Sequence, residues 1–100
     1  MALTLTNKTI ELKNGLTIDT AYVRTECYLN NEGNSVNAYP TLWASKEAYE
    51  SLKNHIEVSI DLIFDFPYDR NVDGADTLTF ANNKVKEVFE SMGFSVEVDL

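Results

Sequence analysis

The chain has 100 residues, of which 44% are hydrophobic and 11% aromatic, a composition typical of one globular domain. Its 16 acidic and 8 basic residues give a formal net charge of −8, and residues 51–100 hold most of the acids. Because affinity for nucleic acid and anionic membranes depends on Lys and Arg, we expect no direct contact with either.

Cys27 is the only cysteine, which excludes an intramolecular disulfide and implies either a reducing compartment or indifference to redox conditions. The chain has no basic patch followed by an apolar stretch at its start, and no run of about 18 apolar residues. We therefore expect neither a signal peptide nor a membrane span, and we expect a single domain over residues 1–100.

The first apolar residues alternate within pairs but change parity between the pairs. Leu3 and Leu5 have one parity, and Ile10 and Leu12 have the other. A regular strand, in which side chains alternate with a period of two, cannot change parity smoothly. We predict a bulge or break near Asn7-Lys8 that divides this segment into two short strands.

Lys13-Asn14-Gly15 predicts a hairpin turn, and apolar matching selects its register. A two-residue loop would set Ile10 opposite Asp19. A three-residue loop with Gly15 left-handed pairs apolar residues throughout: Leu12 with Leu16, Ile10 with Ile18 and Leu5 with Val23. We prefer the three-residue loop.

A long strand over residues 16–29 and a returning strand over residues 35–44 flank the turn-forming run 30–34. Pro40 has no N–H to donate to a ladder, so it predicts an edge position or a bulge. On the long strand, Tyr22 and Tyr28 share one face, and apolar side chains occupy the other. An edge at Pro40 would be a candidate docking surface.

Aromatic side chains near this edge are candidates for an interface, since Tyr and Trp are enriched at binding hot spots. The candidate interface residues are Tyr39, Pro40, Trp43, Tyr49, Tyr22 and Tyr28. The alternative is a second small core beneath a short connecting helix over residues 45–52, which Ser45 would cap. Both interpretations stay open at this point.

The second half of the chain predicts a strand, a helix and a final strand. Residues 56–66 alternate as one half-buried strand that Pro67 ends. The helix, capped by Asp73 and ended by Gly93, carries an apolar face of Leu78, Ala81, Val85, Val88, Phe89 and Met92. A polar face of Asn82, Asn83, Lys86 and Glu90 lies largely on its other side.

Residues 94–100 alternate again and predict a strand that packs beside an earlier one. The predicted fold class is α+β: an antiparallel sheet of about five strands with one helix from the C-terminal half packed on it and one short connecting helix.

Asp69, Asn71, Asp73 and Gly74 match the first half of a calcium-binding loop. The position of the closing glutamate is Phe80, and the preceding segment is a strand where an EF-hand has a helix. The alternative interpretation is a turn leading into a helix whose N-terminus favours the carboxylates of Asp73 and Asp76.

The usual components of an active site are missing from the sequence. With one histidine, His55, and one thiol, neither a metal cluster nor a Cys-His pair can be assembled. No nucleophile elbow or glycine-rich phosphate loop occurs. We therefore predict a protein that is not an enzyme, with no cofactor and no small-molecule substrate.

An acidic row of Glu57, Asp61 and Asp65 would share the exposed face of the strand over residues 56–66. Its simplest role is solubility and protection of a sheet edge. The same row would also allow the chain to mimic nucleic-acid phosphates.

Several short stretches occur in a fixed order: ALTLT at residues 2–6, NGLT at 14–17, AYVR at 21–24 and ASKEAYE at 44–50, followed by an acidic C-terminal half. Together they resemble small virion structural proteins of tailed bacteriophages. The resemblance implies a subunit of the tail, baseplate or head-tail region, made in the host cytoplasm and located in the virion. Its partners would be other copies of itself in a homo-oligomer and other virion proteins.

The sequence thus favours a non-enzymatic assembly subunit that acts through protein-protein contacts. The first alternative is an acidic inhibitor or nucleic-acid mimic that binds a basic protein surface. The second alternative is a calcium-binding module.

Overall fold

A computed structural model describes residues 2–58 and 62–99, which form a five-stranded antiparallel sheet with one long helix across it. The sheet has the strand order β6-β5-β4-β1-β7, and β2 and β3 form a separate two-stranded sheet. The strands are β1 (Ala2–Thr6), β2 (Ile10–Glu11), β3 (Thr17–Ile18), β4 (Ala21–Leu29), β5 (Ser35–Trp43), β6 (Phe64–Pro67) and β7 (Ser95–Asp99). The helices are α1 (Lys46–Glu50), α2 (Arg70–Asp73) and α3 (Thr77–Ser91).

The predicted α+β class, with about five antiparallel strands, is confirmed. The prediction that the final strand packs beside an earlier one is also confirmed, because β7 pairs antiparallel with β1. No helix in the described part of the chain is long and apolar enough to cross a membrane.

The first hairpin has the predicted break and the predicted turn. Asn7, between β1 and β2, has a positive φ of 68°. Ile10 pairs with Ile18, the Leu12 N–H donates to the Leu16 carbonyl at 2.7 Å, and Gly15 has a φ of 87°. Glycine suits this left-handed position because it has no Cβ.

The outer part of the predicted register is wrong. Leu5 lies opposite Ala21, and Leu3 is the residue opposite Val23. The segment from Leu5 to Ile10 is two residues longer than the opposing segment from Ile18 to Ala21. The break at Asn7 therefore shifts the register between β1 and β4 by two residues. The predicted strand over residues 16–29 is likewise divided into β3 and β4.

β5 is an inner strand over half of its length and an edge over the other half. β6 pairs only with residues 35–38 of β5. The Leu42 carbonyl accepts from the Ile56 N–H at 2.8 Å on the side away from β4, and Pro40 has the same parity as Leu42. The Pro40 nitrogen, which carries no hydrogen, therefore faces this outer side, and the ladder between β5 and β4 loses no hydrogen bond.

The predicted single strand over residues 56–66 is wrong. Ile56 and Val58 form isolated bridges to Leu42 and Leu12, and only Phe64–Pro67 forms a strand, which Pro67 ends as predicted.

Pro40 explains why this ladder stops. The register of β6 on β5, continued past the Ala38–Phe64 pair, would set Leu62 opposite Pro40. Pro40 faces that side and has no N–H to donate, so the ladder cannot continue through it.

The core lies between α3 and one face of the sheet. Its fully buried side chains include Leu3, Leu5, Val23, Val36, Val85 and Phe89. Asn82, predicted on the polar face of α3, is fully buried on the flank of the apolar stripe, where its Nδ2 donates to the Leu78 carbonyl. Leu78, predicted on the apolar face, is 44% exposed because it lies in the first turn, at the edge of the sheet contact.

Asp76, and not Asp73, caps α3. Its carboxylate accepts from the Thr79 N–H at 3.1 Å and from the Thr79 hydroxyl at 2.8 Å. Asp73 is the last residue of α2, which Gly74 ends. Gly93 follows α3 with a φ of 102°, as predicted for the end of this helix.

Candidate functional site

The two faces of the five-stranded sheet differ in what covers them. α3 packs on the face that carries Val23 and Val36, whereas on the opposite face α1, at one corner, is the only helix that the described residues place. The register places five residues together on the uncovered part, which we call the open face: Glu26, Tyr28, Asn37, Tyr39 and Asp65.

Three of the predicted interface aromatics form a small second core under α1. The Tyr49 ring lies 4.8 Å from the Trp43 ring and 5.5 Å from the Tyr22 ring, measured between centroids. Tyr22 is only 4% exposed. The Trp43 Nε1 donates to the Lys53 carbonyl at 3.1 Å, so its polar atom is also satisfied inside the fold.

Charged side chains make further contacts at the same corner. The Arg24 guanidinium lies 4.9 Å from the centroid of the Tyr49 ring. A hydrogen bond with the Tyr22 side chain, followed by the charge environment of Tyr49, Tyr22 and Asp99, raises the pKa of Arg24 despite its partial burial. Lys46 of α1 pairs with Asp99 of β7 at 3.0 Å. Ser45 caps α1 as predicted, accepting from the Ala48 N–H at 3.0 Å.

The other two aromatics, Tyr28 and Tyr39, contact each other on the open face. Their rings meet edge to face, with centroids 5.5 Å apart. Tyr28 is 57% exposed, and its hydroxyl donates to Glu26 Oε2 at 3.1 Å. Glu26 also lies directly opposite Tyr39 in the ladder. We call Glu26, Tyr28 and Tyr39 the tyrosine-carboxylate cluster.

The hydrogen bond to the Glu26 carboxylate, and the charge of that carboxylate, raise the pKa of Tyr28. Tyr28 therefore stays protonated and keeps donating to Glu26 at neutral pH. This bond holds the exposed Tyr28 ring beside the Glu26 carboxylate.

Pro40 belongs to neither aromatic group. Its side chain is buried on the α3 side of the sheet, and its outer main-chain edge, together with Tyr39, borders a cleft of about 570 Å³. Leu42, Ile56 and Val58 line the apolar part of this cleft, and His55 is on its rim.

The calcium-like loop forms the short helix α2. The Asp69 carboxylate accepts from the Asn71 N–H at 2.9 Å, and the Asp69 N–H donates to Asp73 Oδ2 at 2.8 Å. The Tyr68 hydroxyl donates to the Gly74 carbonyl, and Phe80 packs on the Tyr68 ring at 5.0 Å. Within residues 2–58 and 62–99, no group of three or more His, Cys, Asp or Glu side chains is placed to hold a metal ion.

The acidic row does not share one strand. Glu57 lies between the two isolated bridges, and Asp65 lies on β6 and on the open face. Asp61 lies outside the described residues. The prediction failed because it rested on residues 56–66 being a single strand.

Glu26 is the residue of this site that sequence reasoning missed. The sequence nevertheless contained a signal for Glu26. The turn at residues 30–34 sets Leu29 opposite Val36, and this register sets Glu26 opposite Tyr39. Cys27, on the other face, lies against Thr77 of α3, with 4.0 Å between Sγ and Oγ1.

No protein-family model matches the chain, and neither a curated protein nor a solved structure matches it at a significant level.

Proposed function

We propose that this chain is a non-enzymatic assembly subunit of a tailed-phage virion, in the tail, baseplate or head-tail region. It would act by protein-protein contacts with further copies of itself and with other virion proteins. The observation that carries the proposal is the Tyr28-Tyr39 pair, which stays accessible on the open face while the other aromatics of this face are packed under α1.

This pair has the physical properties of a binding anchor. Tyrosine supplies a large amphipathic contact area with only two side-chain torsions to fix, and such residues carry a large share of interface energy. β4 and β5 pair over eight registered positions, so the backbone under both rings is rigid. A partner would therefore meet a surface that needs little ordering on binding.

The outer strands offer a second type of contact that suits an assembly. β6 and β7, at the two ends of the five-stranded sheet, each have one side without a strand partner among the described residues, whereas the outer side of β5 near Pro40 is partly occupied by the bridge from Ile56 to Leu42. Addition of a strand from a neighbouring subunit to such an edge is a common mode of protein-protein recognition.

Size-exclusion chromatography with light scattering, on the chain alone and mixed with candidate virion proteins, tests the proposal. We expect either a defined oligomer or co-elution with a virion protein. A protein that is monomeric at all concentrations and never enters particles would contradict it.

A matched pair of variants links the result to the open face. Tyr28→Ser removes an exposed ring from the cluster and should weaken assembly. Leu16→Ser removes a side chain of similar exposure, 65% against 57%, from the first hairpin and should not.

A further inference from the structure

We infer that the tyrosine-carboxylate cluster of Glu26, Tyr28 and Tyr39 binds an arginine side chain presented by a basic segment of a partner protein. The inference rests on the proposed function, because it names the partner chemistry for the same open face.

The geometry of the cluster suits a planar cation. The two rings are inclined by 65° to each other, so they offer an aromatic face and an aromatic edge at one place. Glu26, which already accepts from Tyr28 through Oε2, can accept further donors because an ionised carboxylate has about four lone-pair positions. A guanidinium can stack on a tyrosine face and direct its N–H groups to a carboxylate at the same time.

The charge of the cluster is not neutralised within the described fold. The ion pairs among the described residues join Lys46 to Asp99, Lys84 to Glu87 and Lys86 to Glu90. Neither Glu26 nor Asp65, both exposed on the open face, belongs to one of these pairs. Asp65 lies opposite Asn37 and is two strands from Tyr28, with β5 between them. The open face therefore presents two carboxylates and two tyrosine rings to an incoming cation.

The covered corner of the same face already contains an arginine on a tyrosine. There the Arg24 guanidinium lies 4.9 Å from the Tyr49 centroid, and Asp99 is close enough to contribute to its charge environment. In the open half, Tyr28, Tyr39 and Glu26 supply the ring and the carboxylate, but no arginine of this chain occupies them. Arg24 itself is engaged by Tyr49 and Tyr22.

Charge decides between a second copy and a different protein as the source of the arginine. Arg70, exposed on α2, is the only other arginine of the chain. Two copies that each carry a net charge of −8 would repel each other if they met through this acidic face, whereas a basic partner is attracted to it. A basic segment of another protein is therefore the occupant that this surface fits.

The experiment is an NMR titration of the full ¹⁵N-labelled chain with a hexa-arginine peptide, with hexa-lysine as the comparison. We expect saturable shifts centred on residues 26–28 and 37–39, and about threefold weaker binding of hexa-lysine, which has no planar group to stack. Raising the salt from about 50 mM to about 300 mM should weaken the binding of both peptides by screening.

Variants identify the groups that bind. Tyr28→Leu and Glu26→Gln should each weaken hexa-arginine binding about threefold, since each removes one exposed contact to the cation. Tyr28→Phe keeps the ring and should retain most of the affinity. Glu87→Gln makes the same charge change on α3 and should leave binding unchanged. Unchanged amide spectra away from the cluster would show that each variant is folded.

Three results would overturn the inference: equal binding of the two peptides, shifts centred elsewhere, or equal affinity of wild type, Tyr28→Leu and Glu26→Gln. Self-association that disappears in Arg70→Gln would also overturn it, because the occupant would then be a second copy. If the chain enters particles but does not bind hexa-arginine, the assembly proposal stands and this inference is wrong. If the chain binds hexa-arginine through the cluster but never assembles, only the proposed virion role is contradicted.

Discussion

The indole Nε1 of Trp43 donates a hydrogen bond to the main-chain carbonyl of Lys53 at 3.1 Å, which joins the end of β5 to the segment after α1. With five residues, α1 is too short to be stable alone, so its position depends on this bond and on the Tyr49 ring. Replacing Trp43 by Phe removes the donor and part of the ring area. We expect a loss of about 1–2 kcal/mol in the free energy of unfolding, measured by urea denaturation.

Tyr39→Phe is the control for that substitution. It lies on the same strand but under no helix, and its effect on stability should stay within about 0.5 kcal/mol. Equal losses for the two variants would show that α1 does not depend on Trp43.

Thr25 and Asn82 are polar side chains within the core. The Thr25 hydroxyl and Asn82 Oδ1 have no hydrogen-bond partner among the described residues. Since a buried hydroxyl without a partner costs free energy, Thr25→Val should raise the free energy of unfolding by about 1 kcal/mol. Measured destabilisation would instead show that the hydroxyl is satisfied, for example by a buried water.

Leu52 has a positive φ of 58° and is 91% exposed at the end of α1. Its N–H and that of Lys53 close the helix end by donating to the Tyr49 and Ala48 carbonyls, a position where glycine is usual. Leu52→Gly should therefore increase stability by about 1 kcal/mol.

Asn7→Gly is the comparison for Leu52→Gly. Asn7 also has a positive φ, but asparagine tolerates this conformation better than leucine, so its gain should be smaller. Both gains can be measured by thermal unfolding. A loss of stability in Leu52→Gly would mean that the leucine side chain has a contact in the folded protein.

Asp76 makes stability depend on pH through the cap of α3. The bonds from the Thr79 N–H and hydroxyl lower the pKa of Asp76 in the folded state. A lowered folded pKa means that the stabilisation is present above the pKa of the unfolded chain and is lost as the pH falls through the folded pKa. Asp76→Ala should lower the unfolding midpoint at neutral pH, and this difference should shrink between about pH 5 and pH 2.

Asp76→Asn serves as the matched variant, because it keeps a capping oxygen without the charge. Its unfolding midpoint at neutral pH should lie between those of wild type and Asp76→Ala. A difference between wild type and Asp76→Ala that does not change with pH would argue against a role for the charge.

Local patterns predicted much of the fold because turns and breaks are determined by neighbouring residues. The parity change before Ile10 located the break at Asn7, and Gly15 fixed the first turn. The sequence did not reveal that the break shifts the outer register by two. That shift depends on how β1 and β4 bury Leu5 against Ala21 across the whole sheet.

The errors in the second half of the chain have a similar origin. Alternation over residues 56–66 is a local property, whereas the end of the ladder is determined by Pro40 on another strand. Three aspartates compete to cap the helices, and only the fold shows that Asp69 begins α2 and Asp76 begins α3.

The candidate site was predicted in part. Aromatic composition identified Tyr28 and Tyr39 but could not separate them from Tyr22, Trp43 and Tyr49. Only the docking of α1 distinguishes the packed rings from the accessible ones. Glu26 was missed because its role depends on a cross-strand neighbour.

Incorporation into particles tests the central claim most directly. Wild-type protein, the Tyr28→Ser/Tyr39→Ser double variant and Leu16→Ser would be assembled with candidate virion proteins, and the amount bound would be quantified by mass spectrometry. We predict stoichiometric incorporation of wild type and Leu16→Ser and strongly reduced incorporation of the folded double variant. Absence of wild-type protein from every particle, or equal incorporation of the double variant, would contradict assembly through the open face.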